Sequence, residues 1–448
     1  MIKLTTQQLA QILNASLIGD GQAIVENINT DTRKSVSNSL FFALKGEHFD
    51  AHQYLDKAVE QGATALVVQH ANTEIVTPQL VVTDTRLALG QLAKWLREKI
   101  NPRTVAMTGS SGKTTVKEMT ASILQQTAGN PEAVLFTNGN FNNDIGVPLT
   151  LLRLTEQHKF AVIELGANHQ GEIDYTTHLA QPEAALVNNV AAAHLEGLGS
   201  SEIYRGLTQN GVAIINNEHN YIELWQKEIG SHAIQYFNGG DYKAENVKHS
   251  PNGSTFTLVS LKGSIEINLP YLGEHNVKNA LAATALAMNV GASLADVKAG
   301  LEHRSQVKGR LFPIQVNENL LLLDDTYNAN VDSLQAAIDV LKGYDAFRIL
   351  LVGDMKELGE DSLKCHQQVG DYAKQAKLDL VLSYGTESAV ISEAVLGKHF
   401  TDKAELTAYA LDIIKQKLQE NQKVVVLAKG SRSMKMEETI YSLKDSLC

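Results

Sequence analysis

The chain reads as an α/β protein of three units: an N-terminal α/β unit, a central unit built on a parallel sheet, and a C-terminal doubly wound α/β unit. Three observations predict this. Apolar, β-leaning runs alternate with helical patterns from about residue 101 onward, an order that requires a mostly parallel sheet covered on both faces. The length of 448 residues corresponds to about three domains at roughly 150 residues each. The run Val105–Thr115, V-A-M-T-G-S-S-G-K-T-T, is a strand, a glycine turn and a helix start in succession.

The first unit, about 1–100, mixes short elements. Leu4, Leu9, Ile12 and Leu13 form a helical stripe beside the cap candidates Thr5 and Thr6. Strand-like runs follow at Leu40–Leu44, Ala65–Val68 and Leu80–Thr83, and a long helix spans about Arg86–Lys99. Asn101-Pro102 then marks a boundary, because the residue before proline is pushed out of the helical region. The central unit, about 101–312, has strand candidates at Thr104–Thr108, Val134–Thr137, Ala161–Leu165, Ala185–Val190 and Val212–Asn216. An insertion at about 242–270 reads as antiparallel strands, Thr255–Val259 and Ile265–Leu269, around turns at Gly253 and Gly263. The last unit, about 313–448, alternates again through Leu320–Leu323, Arg348–Val352, Leu380–Ser383 and Val424–Leu427. It has no G-x-G-x-x-G run, so no dinucleotide site is expected there.

Composition narrows the function. Hydrophobic residues at 44% and charged residues at 20% suit an ordinary globular protein. A net charge of −11 argues against a general nucleic-acid coat. Cys365 and Cys448 are the only cysteines, which points to a reducing compartment without a disulfide framework. The N-terminus lacks the apolar core of a signal peptide, and no apolar run approaches membrane-spanning length. A cytoplasmic protein without membrane insertion is expected.

The chemistry starts at the glycine turn. Gly109, Ser110, Ser111 and Gly112 lead into Lys113, Thr114 and Thr115, and this geometry makes a phosphate cradle. Backbone N–H groups and the helix dipole favour an anion, Lys113 neutralises terminal phosphates, and a threonine hydroxyl can hold Mg²⁺. Met107 stands where the longer G-x-x-x-x-G-K-[ST] pattern has its first glycine, so the loop is a shortened variant. The strand F-A-V-I-E-L ends in Glu164, beside that loop, where a carboxylate can complete a Mg²⁺ shell. His194 falls at the end of a neighbouring strand on the same rim, as a second metal ligand or a γ-phosphate contact. Thr137, Asn138, Asn140, Asn142 and Asn143 form an amide-rich loop suited to gripping a polyanionic substrate. Asn279 opens an alanine-rich helix, Arg310 precedes the last unit, and Asp325, Asn328 and Asn330 lie just past an apolar strand, where acids can hold ribose or metal and asparagines can read adenine. Taken singly, these last residues read more readily as caps and turns.

Together these runs resemble the Mur ligases of bacterial cell-wall synthesis, over essentially the whole chain. The resemblance rests on T-G-S-S-G-K-T-T (108–115), T-N-G-N-F-N-N-D-I-G-V-P (137–148), E-L-G-A-N-H-Q-G-E-I (164–173) and N-N-V-A-A-A-H-L-E-G (188–197). It continues through G-E-H-N-V-K-N-A (273–280), D-D-T-Y-N-A-N (324–330), V-G-D-M-K-E-L-G (352–359) and K-G-S-R-S-M-K-M-E (429–437). T-D-T-R (30–33) and L-F-F-A-L-K-G-E-H-F-D-A-H (40–52) look like the family's UDP-sugar domain.

The resemblance implies a UDP-sugar-binding domain at 1–100, an ATP-binding domain at 101–312, and a Rossmann-like ligase domain at 313–448 that closes over the amine substrate. It implies an ATP-dependent amide ligase acting through an acyl phosphate, with UDP-N-acetylmuramoyl-tripeptide and D-Ala-D-Ala as substrates, ATP and Mg²⁺ as cofactors, and a monomeric state. It places Thr114 and Glu164 at a first Mg²⁺ and His194 at a second. Lys113 acts on the transferring phosphoryl group, and Asn279, Arg310 and Asp325 contact the nucleotide. Substrate contacts fall on Thr32, Arg33, Lys45 and Gly46 in the first domain, and on Lys429, Ser431 and Arg432 in the last. The rival readings are a ligase adding a single amino acid to a UDP-muramoyl or folate acceptor, and a non-catalytic module switched by ATP.

Two positions depart from the family's pattern. Val331 replaces a proline after D-T-Y-N-A-N, near an expected helix start where the loss is harmless. After L-E-G-L-G-S the pattern has a short helix with an Ala-Lys pair, whose lysine is carbamylated and bridges metal. Here Ser200 runs straight into Ser201-Glu202-Ile203. The intact surroundings lead us to expect a short lysine-bearing segment between Ser200 and Ser201 in the mature protein. No residue of the sequence is assigned its role.

Overall fold

The computed structural model describes residues 3–167, 169–190, 199–218, 222–303, 308–356 and 358–447. His194, with the rest of 191–198, lies outside the described residues.

Three α/β layers follow one another along the chain. The first is a five-stranded sheet in the order Ser16–Ile18, Gln79–Val81, Ala63–Val68, Ser39–Phe42, Asn27–Asn29, parallel except for the first pair. The sequence reading found only three of these strands, because the other two are edge strands of three residues each, with no alternating pattern. The opening helix is Thr6–Leu13, capped by Thr5 in a reciprocal capping box with Gln8. Leu4 pairs with Val25 as a strand residue and is not part of the helical stripe expected for it.

The second layer is six parallel strands ordered Ala233–Phe237, Val212–Asn216, Ala184–Val187, Arg103–Thr108, Phe160–Glu164, Val134–Phe136. The parallel alternation read from the sequence therefore holds. The phosphate-loop strand lies inside the sheet, with Glu164 in register beside Met107. The insertion has three antiparallel strands, Lys243–Ser250, Gly253–Ser260 and Gly263–Leu269. The first of them was missed, since its residues are mostly exposed and polar.

The third layer orders Phe312–Asn317, Leu320–Asp324, Val424–Lys429, Phe347–Gly353, Leu380–Tyr384 and Lys398–Phe400, with only the first pair antiparallel. Apolar clusters fill both of its faces.

The helix Thr85–Ile100, capped by Asp84, joins the first two layers. Its Leu89, Leu92, Ala93 and Leu96 belong to one continuous core with Leu40 and Phe42 of the first sheet and Ala106, Ala161 and Ile163 of the second. Buried Arg97 fixes the junction by donating to the carbonyls of Ala180 and Gln181, both at 2.8 Å. Hydrogen-bonding every side of a buried guanidinium is what makes its burial tolerable.

Ser200 and Ser201 are consecutive residues of one 3₁₀ helix, Ser200–Gly206, whose first turn closes with Glu202 N on the Gly199 carbonyl at 3.2 Å. The lysine-bearing segment expected between them is not part of the 448-residue sequence. Val331 is the first residue of the helix Val331–Lys342, which Asn330 caps, and a first-turn N–H has no intrahelical partner to lose or gain.

Candidate active site

The site is built at the carboxyl ends of the central strands, where open α/β sheets take their ligands. After Thr108 the chain turns on Gly109 at φ +139° and Gly112 at φ +77°, conformations that favour glycine. Space demands glycine as well. A Cβ on Gly112 would lie 2.5 Å from Asn188 Nδ2 and 2.6 Å from Asn279 Oδ1.

The next strand end holds the loop. Ser110 N donates to the Asn189 carbonyl at 3.0 Å and Ser111 N to Asn189 Oδ1 at 2.8 Å, while Asn188 Nδ2 donates to the Ser111 carbonyl at 2.9 Å. Two of the loop's N–H groups are thus taken up by Asn189 rather than left open to an anion. The first bond of the following helix, Lys113–Ala128, is Val116 N to the Gly112 carbonyl at 2.9 Å. The N–H groups of its opening residues, Lys113 to Thr115, are the ones left to receive an anion. Lys113 curls back, with Nζ donating to the Gly109 carbonyl at 2.5 Å. Burial pushes its ammonium below the usual lysine range; Glu164 opposes that shift and Arg310 reinforces it.

Glu164 is 2% exposed, yet both carboxylate oxygens are bonded. Thr114 Oγ1 donates to Oε2 at 3.0 Å, and Asn142 Nδ2 donates to Oε1 at 2.9 Å. Its backbone N donates to Thr137 Oγ1 at 3.0 Å. Thr114 Oγ1 in turn accepts from Arg310 Nη2 at 2.9 Å. An anionic and a neutral oxygen side by side at a phosphate-receiving helix end suit Mg²⁺, which takes one or two protein oxygens and completes its shell with water and phosphate. Among the described residues, no group of three or more His, Cys, Asp or Glu could hold a metal ion.

These residues open on a cleft of about 600 Å³ between the second and third layers. The expected nucleotide contacts Ser110 to Thr115, Asn279, Arg310 and Asp325 all line it. So do the expected substrate contacts Asn140, Asn142, Asn143, Asn328, Asn330, Lys429 and Arg432. Lys429 is buried and paired, with Nζ on Asp325 Oδ2 at 2.7 Å and on the Asn328 carbonyl at 3.0 Å. Arg310 lies with its guanidinium carbon 4.3 Å from the centre of the Tyr327 ring.

Other expected contacts stand elsewhere. Thr137 is fully buried and is scaffold, accepting from Glu164 N through its hydroxyl and from Lys117 Nζ through its carbonyl. Asn138 is exposed outside the cleft, with its carbonyl closing a turn to Phe141 N. Ser431 is 4% exposed and its hydroxyl accepts from Lys356 N at 2.8 Å, tying together two loops of the third layer. Asn330, although it lines the cleft, spends its side-chain oxygen on the Ser333 N–H as a helix cap. Asp324, the partner of Asp325 in the acidic pair, is taken up by Thr326 Oγ1 at 2.6 Å and Gly309 N at 3.1 Å.

Thr32, Arg33, Lys45 and Gly46 follow the adjacent parallel strands Asn27–Asn29 and Ser39–Phe42, so both loops leave the same edge of the first sheet. They do not line the central cleft. Arg33 is held by Asp31 through two bonds of 2.9 Å.

Sequence reasoning gave no role to Asn188, Asn189, Asn216 or His275. Asn188, Asn216 and His275 line the cleft, and Asn189 holds the loop. The signal available was position: Asn188 and Asn189 follow the apolar strand next to the phosphate-loop strand, and Asn216 ends the strand beyond it. His275 is pushed down to about 4, first by burial and then by the Lys429 charge, with Asp339 opposing.

Comparison with known proteins agrees with this geometry. Residues 24–96 match the model "Mur ligase family, catalytic domain", residues 107–287 "Mur ligase middle domain", and residues 309–432 "Mur ligase, glutamate ligase domain". The UDP-N-acetylmuramoyl-tripeptide--D-alanyl-D-alanine ligase of Haemophilus influenzae is 76% identical, with all of both chains covered. That alignment spans 455 positions against 448 residues here (455 − 448 = 7), so the relative has at least seven positions this chain lacks. The enzyme of the same name from Escherichia coli is 51% identical over 100% of this chain and 99% of its own. A crystal structure of MurF from Acinetobacter baumannii superposes with a TM-score of 0.93 at 39% identity, covering 99% of each chain.

Proposed function

The chain belongs to the Mur ligase family, and we propose that it is the ligase that joins D-alanyl-D-alanine to UDP-N-acetylmuramoyl-tripeptide at the expense of ATP. The observation that carries this reading is the Thr114–Glu164 pair at the head of the phosphate-loop helix, opening on a cleft shared with the third layer. No helix of the described residues is long and apolar enough to cross a membrane. We take the protein to be a cytoplasmic monomer with units at 1–100, 101–312 and 313–448.

The tripeptide's terminal carboxylate attacks the γ-phosphorus of ATP and gives an acyl phosphate with ADP. The amine of D-Ala-D-Ala then attacks the acyl carbon, and inorganic phosphate leaves as the amide forms. The helix-start N–H groups and Lys113 bind the phosphate oxygens and offset charge on the transferring group. Thr114 and Glu164 would hold Mg²⁺, which supplies further charge neutralisation when bound. His194 retains its proposed place at a second metal. Asn279, Arg310 and Asp325 hold the nucleotide. The cleft's amide-rich wall, Asn140, Asn142 and Asn143, grips the phosphorylated intermediate without adding charge. Lys429 and Arg432 face it from the third layer. The loops bearing Thr32, Arg33, Lys45 and Gly46 hold the UDP group on the first sheet.

Phosphate release is the deciding measurement. It should require ATP, the UDP-muramoyl-tripeptide and D-Ala-D-Ala together. Release with a single amino acid in place of the dipeptide would move the protein to another Mur-type or folylpolyglutamate-type ligase. Nucleotide binding without release under any acceptor would make it a switched binding module.

A further inference from the structure

Lys117 lies one turn beyond Lys113 on the phosphate-loop helix and is 1% exposed. An ammonium out of water is costly unless it is paired and hydrogen-bonded. Lys117 Nζ donates to the Thr137 carbonyl at 2.7 Å, pairs with Glu118 Oε1 at 2.9 Å, and lies 5.9 Å from the centre of the Phe136 ring. Thr137 is the residue whose hydroxyl accepts from Glu164 N. The same segment continues to Asn142, whose amide holds Glu164 Oε1 and whose carbonyl accepts from Gly166 N at 2.8 Å. One buried cation therefore ties the helix that presents Thr114 to the loop that clamps Glu164 on both sides.

We propose that Lys117 is a positioning residue for the metal-facing pair: acting through Thr137, it sets the separation between the phosphate-loop helix and the asparagine loop, and so holds the Glu164 carboxylate against Thr114. Lys117 does not line the cleft. Removing Lys117 alone leaves the Glu118 carboxylate and the buried Thr137 carbonyl without their partner, so a loss of stability accompanies any change at this position and the Mg²⁺ dependence is the readout that separates positioning from folding. This inference rests on reading Thr114 and Glu164 as the Mg²⁺-facing residues.

The test is ADP binding by calorimetry with and without Mg²⁺, beside thermal unfolding, for the unaltered protein, Lys117→Met and Thr137→Val. Lys117→Met should melt at a lower temperature yet keep its ADP affinity without Mg²⁺. With Mg²⁺ it should bind ADP ~10-fold more weakly, the size of effect seen when partners behind a metal ligand are removed. Thr137→Val should behave alike, and the double variant should be no worse than either single one, since both cut the same path. An affinity unchanged in Mg²⁺, or lowered equally with and without it, overturns the proposal. If Lys117→Met does not fold, Thr137→Val decides by the same criterion. Should the unaltered protein bind ADP indifferently to Mg²⁺, the reading of the metal-facing pair fails instead.

Discussion

Arg310 holds the hydroxyl of Thr114: its Nη2 donates to Oγ1 at 2.9 Å, across 196 residues of sequence. The cation thus sits on the oxygen proposed to face Mg²⁺. Gly309 at φ +79° and Leu311 at φ +49° flank it, and the left-handed conformation of a leucine is strain the surroundings must hold. The Leu311 N–H is fixed to Asp325 Oδ1 at 3.1 Å. On the proposed reading, we expect the Arg310–Thr114 bond to loosen when ATP enters, which frees the guanidinium for phosphate.

From that arrangement we expect the third layer to move about a hinge near 310–323 when substrates bind, so that closure excludes water from the acyl phosphate. X-ray scattering with an ATP analogue and the UDP-substrate should give a smaller radius of gyration than the free protein. The same radius in both states would rule closure out.

Lys113→Ala should reduce ligase turnover by at least about two orders of magnitude with the melting temperature preserved. The side chain is the flexible cation over the helix start proposed to receive phosphate, and it donates to the Gly109 carbonyl of the loop itself. Steady-state phosphate release checks this, and near-normal turnover would remove the phosphate-loop assignment.

Glu164→Gln and His194→Ala should raise the Mg²⁺ concentration needed for half-maximal turnover by ~10-fold or more while UDP-substrate binding stays intact. The physical separation of the first-sheet loops from the central cleft is the reason. Titrations of Mg²⁺ and of UDP-substrate on each variant distinguish the roles. A loss of UDP-substrate affinity with unchanged Mg²⁺ dependence would reverse the assignment.

His275 makes stability depend on pH in one direction. Its folded-state pKa of about 4 lies below the ordinary 6.5, so between these values the unfolded chain binds more protons than the folded one. Stability is therefore full above about pH 6.5 and falls as pH drops toward 4. Denaturant unfolding at pH 7 and pH 5 should show a larger loss for the unaltered protein than for His275→Asn. Equal losses would mean that His275 is as easily protonated folded as unfolded.

The three-layer α/β architecture, the glycine turn before a helix start and the buried glutamate at a strand end were legible in the sequence because each is local. Gly109 and Gly112 declare a turn that side chains cannot make, Lys-Thr-Thr declares the helix start, and Glu164 ends an apolar run that could not bury it unpaired. The family resemblance named the same residues by their runs. Which polar side chains face the cleft and which are scaffold was settled by tertiary structure alone. Thr137 meets Glu164 across 27 residues, Ser431 meets Lys356 across 75, and Lys429 meets Asp325 across 104. A hydroxyl or ammonium has the same chemistry whether it bonds a ligand or a distant backbone group, and only packing decides which partner is within 3 Å. For the same reason Asn189 could claim two N–H groups of the loop that the sequence left open to phosphate.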